Sequence, residues 1–111
     1  MTDWTKIDQR FAKPFTIITD VRPEWEDADW CFDDAEVAKA IKDGKWEWFQ
    51  VRVCAYADGV KLATEYLGAC AYQTYRDFLE CEYHQDMVNE AIDNAVRQLR
   101  TLTQIYEGIG Q

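Results

Sequence analysis

The chain has 111 residues, of which 48% are hydrophobic, and its formal net charge is −9. That length fits one domain, and five Trp, six Tyr and five Phe supply enough apolar material for one core, which excludes an intrinsically disordered chain. The negative charge repels phosphate and therefore disfavours direct binding of nucleic acid or of an anionic membrane.

Three readings of the charge stay open: a basic protein partner, a bound cation, and solubility alone. No apolar run approaches the roughly 18–20 residues of a membrane-spanning helix. The N-terminal sequence lacks the basic and then apolar pattern of a secretory signal, so we expect a cytoplasmic protein, in the host cytoplasm if a phage encodes it. The four cysteines lack metal-ligand spacing, and we therefore expect free thiols, no metal and no cofactor.

The first predicted element in chain order is a short helix or an ordered arm over residues 1–13. The β-branched, alternating run PFTIITDVRP then predicts a strand that ends at Pro23, because proline cannot donate a ladder hydrogen bond. Residues 24–32 are expected to form a loop. A short helix follows in DDAEVAKAIKDGK, with an aspartate as its N-cap and Gly44 as its stop.

The clearest local signal is a β-hairpin, because two β-rich runs, EWFQVRVCAYA and VKLATEYLGACAY, flank the turn signature Asp58-Gly59. The turn predicts a register in which the cross-strand pairs are Ala57–Val60, Tyr56–Lys61, Ala55–Leu62, Cys54–Ala63, Val53–Thr64, Arg52–Glu65 and Val51–Tyr66. The predicted pair of Arg52 and Glu65 joins opposite charges directly across the ladder, which supports this register. Tyr66 is placed on a largely apolar face.

A long amphipathic helix is predicted over about residues 83–106. Its apolar residues recur at intervals of four and three and form one stripe, made of Val88, Ile92, Ala95, Leu99, Leu102 and Tyr106. Three heptads favour a helix packed on its own sheet over a coiled coil.

Together the elements predict one α+β domain over residues 1–111. It consists of a small antiparallel sheet of about three strands, with one clear β-hairpin, a long C-terminal helix packed across one face, and a short helix. The N-terminal arm or a second copy of the chain is expected to cover the exposed sheet edges.

No enzyme template is met, so we predict a protein that is not an enzyme. The chain has no serine and therefore no serine nucleophile. Its only histidine, His84, stands at the start of the long helix, where an exposed surface residue is expected. The five glycines are scattered singly, so no phosphate-binding loop is formed.

The acidic residues are concentrated in two windows of 17 residues, 20–36 and 77–93. These windows hold 14 of the 21 acidic residues and one of the 12 basic ones, a formal charge of −13 that leaves +4 for the rest of the chain. Helix N-termini attract acids through the helix dipole, which explains part of each window. The remaining acids and the two tryptophans beside them are the predicted partner-binding residues: Glu24, Trp25, Glu26, Asp27, Asp29, Trp30, Asp77, Glu80 and Glu82.

Aromatic anchors among carboxylates are typical of a protein-binding hot spot, in which Trp and Tyr supply the buried area and the charges steer a basic partner. Burial of Trp25 and Trp30 in the core is the alternative, and it stays open.

The stretch FQVRVCAYADGVKLATEYLGACAYQTYRDF, followed by DMVNEAIDNAVRQL, resembles small proteins encoded by phages and mobile elements. The resemblance covers residues 49–99 and includes no catalytic signature. Among such proteins, the best-understood acidic families are anti-CRISPR and antirestriction proteins. The resemblance implies binding to a host nucleoprotein complex by covering its basic nucleic-acid groove, and it assigns no residue roles.

The predicted function is therefore a non-enzymatic, anti-CRISPR-like inhibitor that binds the basic surface of a host protein or nucleoprotein complex. No direct contact with nucleic acid or membrane is expected, and both a monomer and a homodimer are compatible with the sequence. Alternatives are an immunity protein or antitoxin that neutralises a basic toxin, a structural homo-oligomeric phage accessory protein, and a small enzyme or metal-binding protein.

Overall fold

The computed structural model describes residues 3–109, and of Trp30 it describes only the backbone. The elements are β1 Thr5–Ala12, β2 Phe15–Pro23, α1 Ala28–Cys31, α2 Ala35–Lys42, β3 Glu47–Ala57, β4 Val60–Tyr72, α3 Tyr75–Leu79 and α4 Glu82–Ile109. The strands form one antiparallel sheet in the order β1-β2-β3-β4, so the α+β class is confirmed. None of the helices in the described range is long and apolar enough to cross a membrane.

The prediction of about three strands is wrong by one. The arm expected over residues 1–13 is instead the edge strand β1, which pairs with β2 up to Ala12 opposite Phe15; residues 1 and 2 lie outside the described residues. Polar and charged side chains dominate its sequence TKIDQRFA, as in edge strands that must not pair with another chain. Because β1 is polar, a search for alternating apolar residues does not detect it as a strand.

The next elements agree with the predictions. Strand β2 ends at Pro23, and the Asp34 side chain caps α2 by accepting a hydrogen bond from the Glu36 amide at 2.9 Å. Gly44 follows this helix with a φ of +76°, a left-handed conformation that glycine adopts without strain. The predicted loop at 24–32 includes the single turn of helix α1.

The β3–β4 hairpin turns at Asp58-Gly59 as predicted, but its register changes two residues further on. An irregularity between Ala55 and Tyr56 shifts the pairing by one residue, so that the observed pairs are Ala55–Ala63, Cys54–Thr64, Val53–Glu65, Arg52–Tyr66 and Val51–Leu67. The predicted pair of Arg52 and Glu65 is therefore wrong. Arg52 instead forms a salt bridge of 2.7 Å with Asp20 on β2.

A shift of one residue moves side chains to the opposite face of a sheet. Glu65 consequently lies on the face that α4 covers, where its carboxylate accepts a hydrogen bond from Asn94. Tyr66 lies on the other face, 6.3 Å from the Trp4 ring. Its predicted place on the apolar face is wrong for the same reason.

The core lies between the sheet and α4. The buried residues of the two layers are Phe15, Ile17, Val21, Phe49, Val51, Val53, Ala55 and Cys70 on the sheet and Met87, Val88, Ala91 and Ala95 on α4. Phe78 of α3 closes one end with an edge-on contact of 5.7 Å to the Phe49 ring. The predicted stripe of α4 packs on the sheet as far as Leu99, whereas Leu102 and Tyr106 are exposed.

His84 is fully buried, so the expectation of an exposed histidine is wrong. It begins the face of α4 that continues three and four residues later with Met87 and Val88. Its Nδ1 lies 3.1 Å from the Leu79 carbonyl oxygen and 3.3 Å from the Arg10 guanidinium. Its Nε2 shares a hydrogen bond of 2.8 Å with the Thr19 hydroxyl.

Burial lowers the pKa of His84 below its ordinary value of 6.5, and the neighbouring Arg10 guanidinium acts in the same direction. The folded chain therefore keeps the imidazole neutral at a pH where the unfolded chain protonates it. Because His84 is the only histidine, we expect the free energy of unfolding to fall as the pH drops from about 7 to about 5.5, with a slope of at most about 1.4 kcal/mol per pH unit.

Urea unfolding across this pH range measures the slope, with His84→Gln as the comparison. The variant loses the titrating group, so its stability is lower throughout but changes less with pH. Equal slopes in the two proteins would contradict a buried neutral imidazole.

Candidate functional site

The segment of residues 24–34, which we name the acidic loop, is anchored on the sheet at three points. The Glu24 carboxylate accepts a hydrogen bond from the Ala69 amide at 2.7 Å, across the sheet on β4. The Trp48 indole donates to the Glu26 carbonyl at 2.9 Å. The Phe32 ring packs on the Trp48 ring with centroids 5.6 Å apart. The loop therefore has a defined position on the sheet.

Glu24 makes the most hydrogen bonds of these anchors. Besides the Ala69 amide, its carboxylate accepts from the Gln50 side chain at 2.7 Å and from the amides of Trp25 and Glu26. Burial raises the pKa of this carboxyl, but the hydrogen bond from Gln50 and those from the three amides outweigh burial and hold the pKa below its ordinary 4.5. This carboxylate is thus committed to internal hydrogen bonds.

Glu24 also shapes the edge strand. Ala69 has a φ of +56°, which is unusual for a residue with a side chain, and β4 resumes pairing with Cys70 opposite Phe49. A Cβ added at Gly68 would lie 3.2 Å from a Glu24 oxygen. The strand therefore approaches the carboxylate closely at a residue without a side chain. The carboxylate therefore holds an irregular stretch of β4 at the end of the acidic loop.

Of the other predicted acids, the described ones are all exposed: Glu26, Asp27, Asp29, Asp77, Glu80 and Glu82. Three of them also have local partners. The Asp27 side chain caps α1, Asp29 forms a salt bridge with Lys42, and Glu80 pairs with Arg76. The carboxylates of Glu26, Asp77 and Glu82 combine exposure with no hydrogen bond or salt bridge shown among the described residues.

The two tryptophans of the first acidic window have different outcomes. Trp25 is 69% exposed, and one face of its ring lies 4.8 Å from the Arg22 guanidinium. It is therefore a surface residue with a held ring, as an interaction anchor requires. The side chain of Trp30 lies outside the described part of the structure.

Tyr66 and Tyr83 are two further exposed aromatic residues, with exposed fractions of 68% and 63%. A cavity lined by Tyr66 and Tyr83 also contains carboxylates from β4 and α4, namely Glu65, Asp86 and Glu90. The sequence contains a signal for Tyr83, Asp86 and Glu90, because these residues belong to the acidic window at 77–93. It contains none for Tyr66, since Tyr66 reaches the surface only through the shift in the hairpin register.

These aromatic residues lie along one continuous surface around the edge strand β4. The depression beside Trp25 and the depression beside Trp4 are both lined by Gln50. The depression beside Trp4 and the cavity beside Tyr83 are both lined by Tyr66 and Leu67. A further cavity of about 360 Å³ brings Phe32 of the first acidic window and Tyr83 of the second to the same stretch of β4. We name the whole the acidic–aromatic surface; its exposed members are Trp25, Glu26, Asp27, Tyr66, Tyr83, Asp86 and Glu90.

The charge of this surface is strongly negative. Six carboxylates and one guanidinium, that of Arg22, line its depressions. The guanidinium is stacked 4.3 Å from the Trp4 ring and lies 3.6 Å from the Asp3 carboxylate. Arg52, 4.5 Å from the same ring, is paired with Asp20. Both cations are therefore engaged within the sheet face and do not offset the acids around it.

No group of three or more metal-ligating side chains is found between residues 3 and 109. The imidazole of His84 is enclosed between Thr19 and Leu79 and does not reach the acidic–aromatic surface. Comparisons of the chain with family models, with curated proteins and with solved structures gave no match. The surface combines exposed aromatic rings with carboxylates.

Replacing Glu24 with Gln tests its structural role. The glutamine amide places a donor where the carboxylate accepts, so we expect a loss of about 1.5–3 kcal/mol in the free energy of unfolding at neutral pH, measured by urea titration. Because the folded pKa lies below the ordinary 4.5, the stabilisation is present above that pH and is lost as the pH falls through the folded pKa.

Glu26→Gln is the matched control, because Glu26 is exposed and the change in charge is the same. It should alter stability by less than about 0.5 kcal/mol. If Glu24→Gln were as stable as this control at neutral pH, the carboxylate would not hold β4 in place.

Proposed function

We propose that this protein is a non-enzymatic inhibitor of anti-CRISPR or antirestriction type, which binds the basic surface of a nucleic-acid-binding host complex through the acidic–aromatic surface. The observation that supports the proposal best is the continuity of this surface, because two acidic windows far apart in sequence meet around one sheet edge. Carboxylates set around exposed aromatic anchors match a partner whose Lys and Arg otherwise contact phosphates.

The arrangement divides the work between two kinds of side chain. The rings of Trp25, Tyr66 and Tyr83 supply apolar area that a partner buries, which is the source of most binding free energy in protein interfaces. Glu26, Asp86 and Glu90 supply long-range attraction, which raises the rate of association and favours basic partners. The acids at the surface would then take the places of backbone phosphates, and binding would exclude nucleic acid from the partner.

The rigidity of the surface also supports binding without a large ordering cost. The acidic loop is anchored by Glu24, by the Trp48 indole and by the Phe32 ring, and Tyr66 stands on a strand. Side chains that are held in place before binding lose less conformational entropy in the complex.

A matched pair of triple variants tests the charge component. The surface variant is Glu26→Gln with Asp86→Asn and Glu90→Gln, and the control is Asp43→Asn with Asp58→Asn and Glu107→Gln. All six residues are exposed, and each variant changes the net charge from −9 to −6. The two proteins therefore differ in where charge is removed and not in how much.

Affinity capture from a bacterial lysate at low salt, followed by mass spectrometry, provides the first readout. We expect the wild type and the control to retain a basic nucleic-acid-binding complex. This complex should elute at about 0.5 M salt, because salt at that concentration screens exposed charges. With that complex purified, the surface variant should associate about tenfold more slowly than the control. The bound complex should also fail to bind its own nucleic acid.

Trp25→Ala tests the anchor component. Truncation of an interface tryptophan typically costs about 2 kcal/mol or more, so we expect dissociation to become at least about thirtyfold faster while the salt dependence persists. Equal binding by the surface variant and its control would contradict the proposal. Capture of a basic toxin instead would assign the alternative function of an immunity protein, and its nuclease activity would be the quantity inhibited.

A further inference from the structure

Helix α4 extends beyond the layer that it covers. Its buried residues end at Ala95, and Leu99 is the last residue that packs on the core. Every residue from 100 to 109 is exposed. We name this segment, of about three helical turns, the helix extension. The extension propagates from a packed helix and therefore needs no nucleus of its own, but no contact with the core holds it in place.

The extension continues the face of α4 that packs on the sheet. Leu102, Tyr106 and Ile109 follow Ala95 by 7, 11 and 14 residues, which places them on the same side of the helix. Their exposed fractions are 44%, 78% and 79%, and Ile105 beside them is 55% exposed. The apolar stripe therefore runs past the end of the sheet without a cover of its own.

Charged residues are absent from this face. In heptad terms, with Leu99 and Tyr106 at a and Leu102 and Ile109 at d, the a, d, e and g positions from 95 to 109 are Ala95, Val96, Gln98, Leu99, Leu102, Thr103, Ile105, Tyr106 and Ile109. Arg97, Arg100 and Glu107 occupy b and f positions, outside this face, and Arg100 borders a groove between α4 and the β1–β2 turn. In a chain with 30% charged residues, an uncharged face of this length has the composition of an interface core.

An apolar groove adjoins the base of the extension. It has a volume of about 550 Å³ and lies between α4, at Ile92, Val96 and Leu99, and the β1–β2 turn, at Pro14 and Phe15. A helix that ran antiparallel to the extension would therefore meet apolar side chains as far as the end of the sheet.

The exposed area exceeds that of a compact monomer. A chain of 13.0 kDa is expected to expose about 6,300 Å², whereas this one exposes 7639 Å². The radius of gyration is 17.2 Å, against about 13 Å for a compact domain of this length. The excess in exposed area is larger than the area that each partner contributes to a standard interface, which is about 800 Å².

We propose that α4 forms an antiparallel, two-fold symmetric pair with α4 of a second copy of this chain, through the helix extension and the groove beside it. The a and d positions then form four layers, in which Leu102 faces Tyr106 and Leu99 faces Ile109 of the other copy, each twice. The end of each extension reaches the groove of the other copy. Each extension then packs against α4 of the other copy, on the side of that helix that packs on its own sheet nearer the N-terminus.

A second copy fits this face better than a charged partner does. The same patch serves both sides of a two-fold interface, and a/d stripes of equal length and without charge are self-complementary. Two copies of a chain with a charge of −9 repel each other, and this end is where they approach at the lowest cost. Residues 95–109 carry two arginines and a single glutamate, and Lys13 stands beside the groove.

The test compares two single variants by size-exclusion chromatography with light scattering, over a range of protein concentrations. Leu102→Glu places a charge in the central layers, and Thr101→Glu places the same charge at the adjacent, outward position. Neither residue belongs to the buried core, so both variants should fold. We expect a mass of about twice 13.0 kDa for the wild type and Thr101→Glu, and a dimer at least about a hundredfold weaker for Leu102→Glu.

Circular dichroism provides a second readout. Glutamate and leucine have similar helix propensities, so a loss of helical signal in Leu102→Glu, by about the length of the extension, would report the loss of its cover. Monomeric wild type at every concentration would overturn the proposal. A dimer that Leu102→Glu leaves intact would overturn it as well, because the contact would then lie elsewhere, for example along a sheet edge.

Discussion

The hydrogen bonds of the Glu24 carboxylate connect parts of the chain that are 45 residues apart. They join the end of β2 to the irregular stretch of β4 at Gly68 and Ala69, and through Gln50 they include the strand between them. Because β4 is an edge strand, nothing on its outer side in the described structure fixes where it leaves and rejoins the ladder. The carboxylate supplies that constraint, and the acidic loop, the depressions along β4 and the spacing of their aromatic residues follow from it.

The two faces of the sheet are completed by different means. One face is covered by α4 through aliphatic packing, which needs only the periodic stripe of the helix. On the other face, Arg22 and Arg52 are stacked on Trp4 and paired with aspartates, and the acidic loop packs against Trp48. This second layer leaves Trp25 and Tyr66 at its rim, where the acidic loop and β4 meet. Six carboxylates thereby lie around one sheet edge, whereas the end of α4 is apolar and nearly neutral.

Periodic and turn signals predicted much of this fold, because they depend on neighbours in sequence. The 4-and-3 spacing predicted α4, Asp58-Gly59 predicted the hairpin, and Pro23 and Gly44 predicted the ends of β2 and α2. Features that depend on distant contacts were missed. The shift beyond Ala55 depends on how β3 pairs on both sides, β1 is polar because it is an edge, and His84 is buried because Thr19 of β2 accommodates its ring. Of the acidic–aromatic surface, composition predicted Trp25, Glu26 and Asp27, whereas Asp86 and Glu90 were attributed to the helix N-terminus. Tyr66 and the internal hydrogen bonds of Glu24 depend on the register.

Site-resolved hydrogen exchange of the Ala69 amide, followed by NMR, tests most directly whether Glu24 holds this surface together. Ala69 stands on an exposed edge strand, where an amide without a partner exchanges rapidly, and its hydrogen bond goes to the Glu24 carboxylate. If Glu24 holds this surface, the Ala69 amide exchanges slowly in the wild type and much faster in Glu24→Gln, and exchange of the Cys54 amide, in the middle of β3, is unchanged. Equal exchange at Ala69 in the two proteins would contradict this role of Glu24, because the edge strand and the acidic–aromatic surface would then be held by other contacts.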